Sequence, residues 1–143
     1  MPQKRTVQKA RADAKEGKSP STQAGEFVRE EIEHVREGKH GAKNAKQAIA
    51  IGLSKARRAG VPLAPPRKGT TSQRTRRKAQ QDVQKGRMPR KARPSKRRSR
   101  ATTEALEREG GSSAVSKRAL GRQAKQAAAR RKRRTRGRAG AHP

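Results

Sequence analysis

Two stretches of this chain place apolar residues at helical spacing. In "STQAGEFVREEIEHVREGKHG", at 100° per residue, Ala24, Val28, Ile32 and Val35 share a face, with Phe27 at its edge. Ser21 or Thr22 can cap the start, Glu26 and Glu30 lie early, where the helix dipole favours acids, and Gly38 can close the end. The pattern predicts a helix over about 23–37. In "KNAKQAIAIGLSKARRAG", Asn44 and Gln47 have the spacing of a capping box. Ala45, Ala48, Ile49, Gly52, Leu53 and Ala56 then fall on one face, and Gly60 with "VPLAPP" stops the helix. This predicts a second helix over about 45–59. The two form an αα-hairpin module over 21–63, with Val61 and Leu63 folded back on it and Gly52 permitting close approach.

Outside the hairpin the apolar pattern thins. Residues 1–20 read as a disordered basic arm. Residues 64–100 read as a disordered linker, with four prolines and fifteen basic residues against one Asp; Ala79 and Val83 offer only a thin stripe for a short helix near 73–85. In the segment 101–134, Thr102 or Thr103 caps a short helix ending at Gly110, and Ser112 or Ser113 caps an Ala/Arg-rich one. Val115, Ala119, Leu120, Ala124 and Ala127 give that last helix a weak stripe. Residues 135–143 read as a disordered tail. The expected fold class is mainly α: a small hairpin, isolated C-terminal helices and extensive disordered basic segments.

Charge sharpens this division. The chain of 143 residues has 41 Lys and Arg against 11 Asp and Glu, a net charge of +30. Residues 1–66 hold 14 basic and 7 acidic residues, whereas 67–143 hold 27 and 4. The single Phe and all three isoleucines lie between Phe27 and Ile51. Core and charge sit in different places, so they serve different purposes. So small a core is marginal alone, and a homodimer through the hairpin would enlarge it.

Several chemistries are set aside. With no cysteine there is no disulfide or thiolate site. "GKS" at Gly17–Ser19 copies the end of a P-loop, but Ala12 stands where the motif needs its first glycine. His34 and His40, with Glu30 or Glu37 nearby, lack HExxH spacing and read as solvated side chains. No metal, cofactor or catalytic residue is expected, and no enzyme activity. Neither a secretory leader nor an apolar run of membrane-spanning length is visible, so a cytoplasmic, nucleoid-associated protein with no membrane partner is expected.

The charge excess points to a polyanion. Sequence-reading RNA modules stack bases on aromatics, and this chain has a single Phe, which belongs to the core. Duplex DNA held through phosphates needs only Lys, Arg and backbone donors. DNA is therefore the expected partner, with RNA or the ribosome the alternative, and a protein-interaction module held on nucleic acid a third reading. The polar face of the second helix presents Gln47, Ile51, Ser54, Arg57 and Arg58, flanked by Lys46 and Lys55. Arg57 and Arg58 suit phosphates, and Gln47 or Ser54 suits base edges. The basic runs add Arg74, Arg76, Arg77, Lys78, Arg97, Arg98, Arg130, Arg131, Lys132, Arg133 and Arg134. Arg136, Gly137 and Arg138 match part of an AT-hook, with Ala139 where its proline belongs.

The run Lys46–Ile51 with Leu53, Ser54, Ala56, Arg57 and Gly60, preceded by Lys39, His40 and Gly41, resembles a bacterial family of small, highly basic proteins of unknown function. Members are often labelled only "DNA-binding protein". The segment "RSRATTEALEREGGSSAVSKRALGRQAKQAAARRK" is similar to tails in related sequences. The family often has Glu after the Ser of the run, where this chain has Lys55. The resemblance implies non-enzymatic DNA binding.

Overall fold

The computed structural model describes residues 2–88, 95–109 and 111–139. These carry six helices: α1 (Lys4–Lys15), α2 (Pro20–Arg36), α3 (Ala45–Arg58), α4 (Gln73–Arg87), α5 (Lys96–Glu107) and α6 (Lys117–Ala139). A 3₁₀ turn over Ser112–Val115 precedes α6. No helix among the described residues is long and apolar enough to cross a membrane.

The centre is the α2–α3 hairpin. Asn44 Oδ1 accepts from the Gln47 amide at 2.9 Å, and Gln47 Oε1 accepts from the Lys43 amide, so two backbone donors at the start of α3 are satisfied. Ser19, rather than Ser21 or Thr22, caps α2, because Pro20 is pre-organised for the first helical position. Gly38 at φ 77° and Gly60 at φ 103° take the left-handed conformation that ends each helix. Gly52 faces the α2 backbone so closely that a Cβ there would lie 2.6 Å from Val28 Cα.

Two small apolar clusters hold the elements together. In one, Ala10 of α1 joins Ala24, Phe27, Ala56 and Val61, with Val7, Leu53, Ala59 and Leu63 at its margin. In the other, Val35, Ala42, Ala48 and Val115 are buried, with Ile32 beside them. The chain after α3 does fold back, as the placement of Val61 and Leu63 shows.

The basic flanks differ from the expected disordered arms. Residues 4–15 form α1, which lays Thr6, Ala10 and Asp13 against the hairpin. Its apolar content is too small to register as a stripe; hydrogen bonds supply the rest. The Gln3 amide donates to Glu30 Oε1 at 2.7 Å, and Lys18 donates to Asp13 at 2.8 Å. Within the expected linker, Ser72 caps α4, which buries Ala79 and Asp82. Residues 89–94 of that linker lie outside the described residues. Helix α5 starts at Lys96, ahead of Thr102 and Thr103, and buries none of its side chains. Its C-terminal end meets the hairpin loop, where the Gly41 amide donates to Leu106 O at 2.9 Å. Ser116 caps α6, its hydroxyl accepting from the Ala119 amide at 3.1 Å. Helix α6 runs to Ala139, past the boundary expected at 134, and residues 140–143 lie outside the described residues. Val115 belongs to the core rather than to an α6 stripe: it is fully buried, and its carbonyl accepts from Arg36.

Replacing a helical glycine by alanine normally adds up to about 1 kcal/mol of helix stability. Gly121→Ala in α6, where a Cβ meets nothing within 4 Å, should show that gain. Gly52→Ala should instead lose about 1–3 kcal/mol, because the new methyl strikes backbone. Urea melts followed by far-UV circular dichroism separate the two signs.

Candidate nucleic-acid interface and a buried acid–histidine cluster

The cations fall into two populations, those used by the fold and those left outside. The first includes most of the α3 face expected to meet DNA. Helix α4 packs over that face, with Gly86 against the Arg57 carbonyl, where a Cβ would not fit. Asp82, only 1% exposed, is the anchor. The Ser54 hydroxyl donates to its Oδ2, the Lys78 ammonium donates to its Oδ1 at 2.7 Å, and Arg58 Nε lies 3.8 Å away. Arg57 is buried and donates to Leu63 O at 3.4 Å and Ala64 O at 3.2 Å, clamping the chain as it leaves α3. Burial pulls its guanidinium below the usual arginine range, with the Asp82 charge opposing. Arg76 donates to Pro66 O at 3.2 Å. Lys55 is turned inward onto Glu31. Ser54, Lys55 and Arg57 are therefore structural groups, which the α3 pattern alone could not show because nothing in it marks α4 as a partner. Ile51 is half-buried, which removes the oddity of an isoleucine on a polar face.

The second population is exposed. It comprises Lys46 at the start of α3, Arg74 and Arg77 on α4, and Arg97 and Arg98 on α5. On α6 it comprises Arg130, Arg131, Lys132, Arg133, Arg134 and Arg136, joined by Lys117, Arg118, Arg122 and Lys125. Arg138 lies in the last turn of α6. Helix α6 contains no acidic residue, and among the described residues none of its cations from Lys117 to Arg136 has an acid within ion-pair distance. At 1.5 Å per residue its 23 residues span about 34 Å.

Where α6 passes the N-terminus of α3 there is a groove of about 490 Å³. Lys43, Lys46 and Arg122 line it, with Gln123 and Gln126 from α6. It gathers three cations at the positive end of a helix dipole, a disposition that favours anions. Of these residues only Lys46 was expected from the sequence. Lys43, Arg122 and the two glutamines are brought together only by the docking of Val115. Gln47 is half-buried beside them and is occupied in capping.

The acids are also divided. Glu30 and Glu31 of α2 are buried, at 4% and 0% exposure. Glu31 accepts from Lys55 through Oε1, and its Oε2 lies 3.0 Å from His40 Nε2. His34 sits between the two carboxylates, with Nδ1 3.8 Å from Glu31 Oε1 and Nε2 3.7 Å from Glu30 Oε1. The rings of His34 and His40 meet edge to face, centroids 6.0 Å apart. Burial pushes His34 below the usual histidine range, against the pull of Glu31 and Glu30. The histidines are thus not solvated side chains. The loop closed by Gly38 and Gly41 carries His40 back over α2, a placement that spacing along the chain does not reveal.

Asp82→Ala should cost about 1–3 kcal/mol, since a buried hydrogen-bonded group is removed while its exposed Lys78 and Arg58 partners add little. Hydrogen exchange checks the location: amides of α4 should exchange faster, and those of α2 should not. Equal protection of α4 in both proteins would exclude Asp82 as its anchor.

No family model, curated protein or solved structure matches this chain.

Proposed function

We propose that this is a non-enzymatic DNA-binding protein of the nucleoid-associated or accessory kind, gripping duplex phosphates with little sequence preference. One observation carries the reading: α6 is a long helix with eleven cationic residues, no acid, and an apolar stripe limited to Ala119, Leu120, Ala124 and Ala127 in its first half. Isolated in water such a helix repels itself, and phosphates relieve that repulsion. From Arg130 to Arg138 its cations surround the axis instead of forming one stripe. A helix is about 10–12 Å across and the major groove about 12 Å wide, with phosphates along both walls. A cylinder charged on all sides suits that setting better than a flat surface. Its length of about 34 Å corresponds to about one turn of duplex. Exposed cations of α4 and α5, with the groove beside Lys46, extend the contact.

The scarcity of aromatic residues favours backbone contact over base stacking, and so DNA over single-stranded RNA. The hairpin acts as the ordered anchor from which the cationic helices extend.

If 6–10 phosphates are engaged, affinity for a labelled duplex should fall about 10³–10⁵-fold between 50 and 200 mM salt. Fluorescence anisotropy measures this, and a nearly flat response would sink the proposal. Replacing Arg130, Arg131, Lys132, Arg133 and Arg134 by Gln should flatten the log–log slope by about 0.9 for each phosphate that is no longer neutralised. Arg57→Gln, in contrast, should lower stability and leave the slope unchanged. Structured RNA that displaces duplex DNA at equal salt would transfer the reading to RNA.

A further inference from the structure

The acid–histidine cluster lies apart from the cationic surface and is not needed for phosphate binding. Its chemistry suggests a use of its own. Glu31 and His34 are three residues apart on α2, so they share a helix face, and the loop brings His40 to the same point. One donor atom from each of the three lies within 4.8 Å of the others. A tetrahedral site with bonds of about 2.0–2.1 Å needs donors about 3.3 Å apart. His40 Nε2 is 3.0 Å from Glu31 Oε2, already near that spacing; His34 Nδ1 is 3.8 Å from the other oxygen, Oε1, and its ring must swing toward Oε2 to complete the set.

Two further observations call for a cation here. His40 Nδ1 lies 2.9 Å from the Gly41 carbonyl, which accepts, so Nδ1 carries a proton. With Nδ1 so engaged, Nε2 faces Glu31 Oε2 at 3.0 Å, and either a second ring proton or a metal ion must lie between the two lone pairs. The same arrangement, one ring nitrogen donating to a backbone carbonyl and the other free, is how metal-bound histidines are held. Glu30 supplies the second observation: its carboxylate is 97% buried, faces His34, and its Oε2 has no hydrogen-bond partner. A buried orphan oxygen is costly, and a neighbouring cation offsets that cost. Among the described residues Lys55 is the one Lys or Arg within ion-pair distance of the two carboxylates.

We propose that Glu31, His34 and His40 form a binding site for a divalent transition metal, with zinc the ion best matched to two imidazoles and a carboxylate. His40 ligates through Nε2 and His34 through Nδ1, Glu31 supplies one oxygen, and Lys55 neutralises the other. Gln3 Nε2, a donor only, lies 3.4 Å from His34 Nε2. Ligation through Nδ1 therefore places the ring proton on Nε2, turns the Gln3 amide so that its oxygen accepts, and lets Glu30 Oε1, 3.7 Å away, accept from Nε2 and orient the ring. Bound metal would tie α2 to the loop before α3, and would fix Gln3 at the start of α1 through Glu30.

The test uses the full chain, stripped of nucleic acid at high salt and of metal with a chelator. Zn²⁺ is titrated against a chromogenic chelator, and Co²⁺ is added separately. The site predicts one Zn²⁺ per chain, the visible bands of tetrahedral cobalt, and a rise in melting temperature. His34→Ala or His40→Ala should weaken Zn²⁺ at least about 100-fold, Glu30→Gln about 10–100-fold, and His142→Ala not at all. Should the histidine variants fail to fold, proton NMR of the unaltered protein decides. Of its three histidines, His34 and His40 should shift with Zn²⁺ at one equivalent and His142 should not. Absence of stoichiometric binding, or a shift at His142 alone, would overturn the proposal.

Discussion

The fold depends on where its few carboxylates are buried. Glu31 has no solvent exposure and engages Lys55 of α3 and His40 of the intervening loop. Asp82 plays the corresponding part for α4, through Ser54, Lys78 and Arg58. Glu30 receives the amide at the start of α1. In a chain with one Phe and no Trp or Tyr, apolar burial alone brings these helices together weakly. Buried acids add direction: once desolvated, each must find donors, and it finds them on the neighbouring element. Glu30, Glu31 and Asp82 are used this way, whereas Asp13 pairs with Lys18 just beyond its own helix.

This arrangement has a consequence for the surface. Acids drawn inward cannot screen the cations outside. Lys55, which pairs with Glu31, is withdrawn from external use, while α6 keeps its full charge. The buried acids thus pair with cations at the centre of the fold, while α6 carries eleven cations and no acid. Small residues make the separation workable. Gly52 and Gly86 let backbones meet so closely that few apolar atoms suffice for contact.

Helices α2 and α3 were legible in the sequence because each signals itself locally. Apolar residues recur at the right period, Asn44 caps, and glycines stop both helices. Helix α1 was not legible, since Thr6, Ala10 and Asp13 are too small and polar to mark a buried face. Helix α4 showed only Ala79 and Val83; its decisive residue is Asp82, which looked like a lone acid in a basic run. The polar face of α3 misled for a related reason. Ser54, Lys55 and Arg57 resemble a binding surface until α4 and Glu31 are set against them. The exposed cations of α6 were readable, as they make no demands on partners within the chain.

What the sequence determined by itself is what depends on neighbours along the chain: the hairpin helices, their caps and stops, the segregation of charge, and the cationic character of the C-terminal half. Tertiary structure alone decided which polar groups are spent and which are free. It placed His40 beside Glu31 and His34, seated Val115 between Val35 and Ala48, and covered the α3 face with α4. The reason is physical. Helical periodicity is a local property of backbone geometry, whereas the partner of a buried charge is chosen by desolvation, which acts only when distant segments meet.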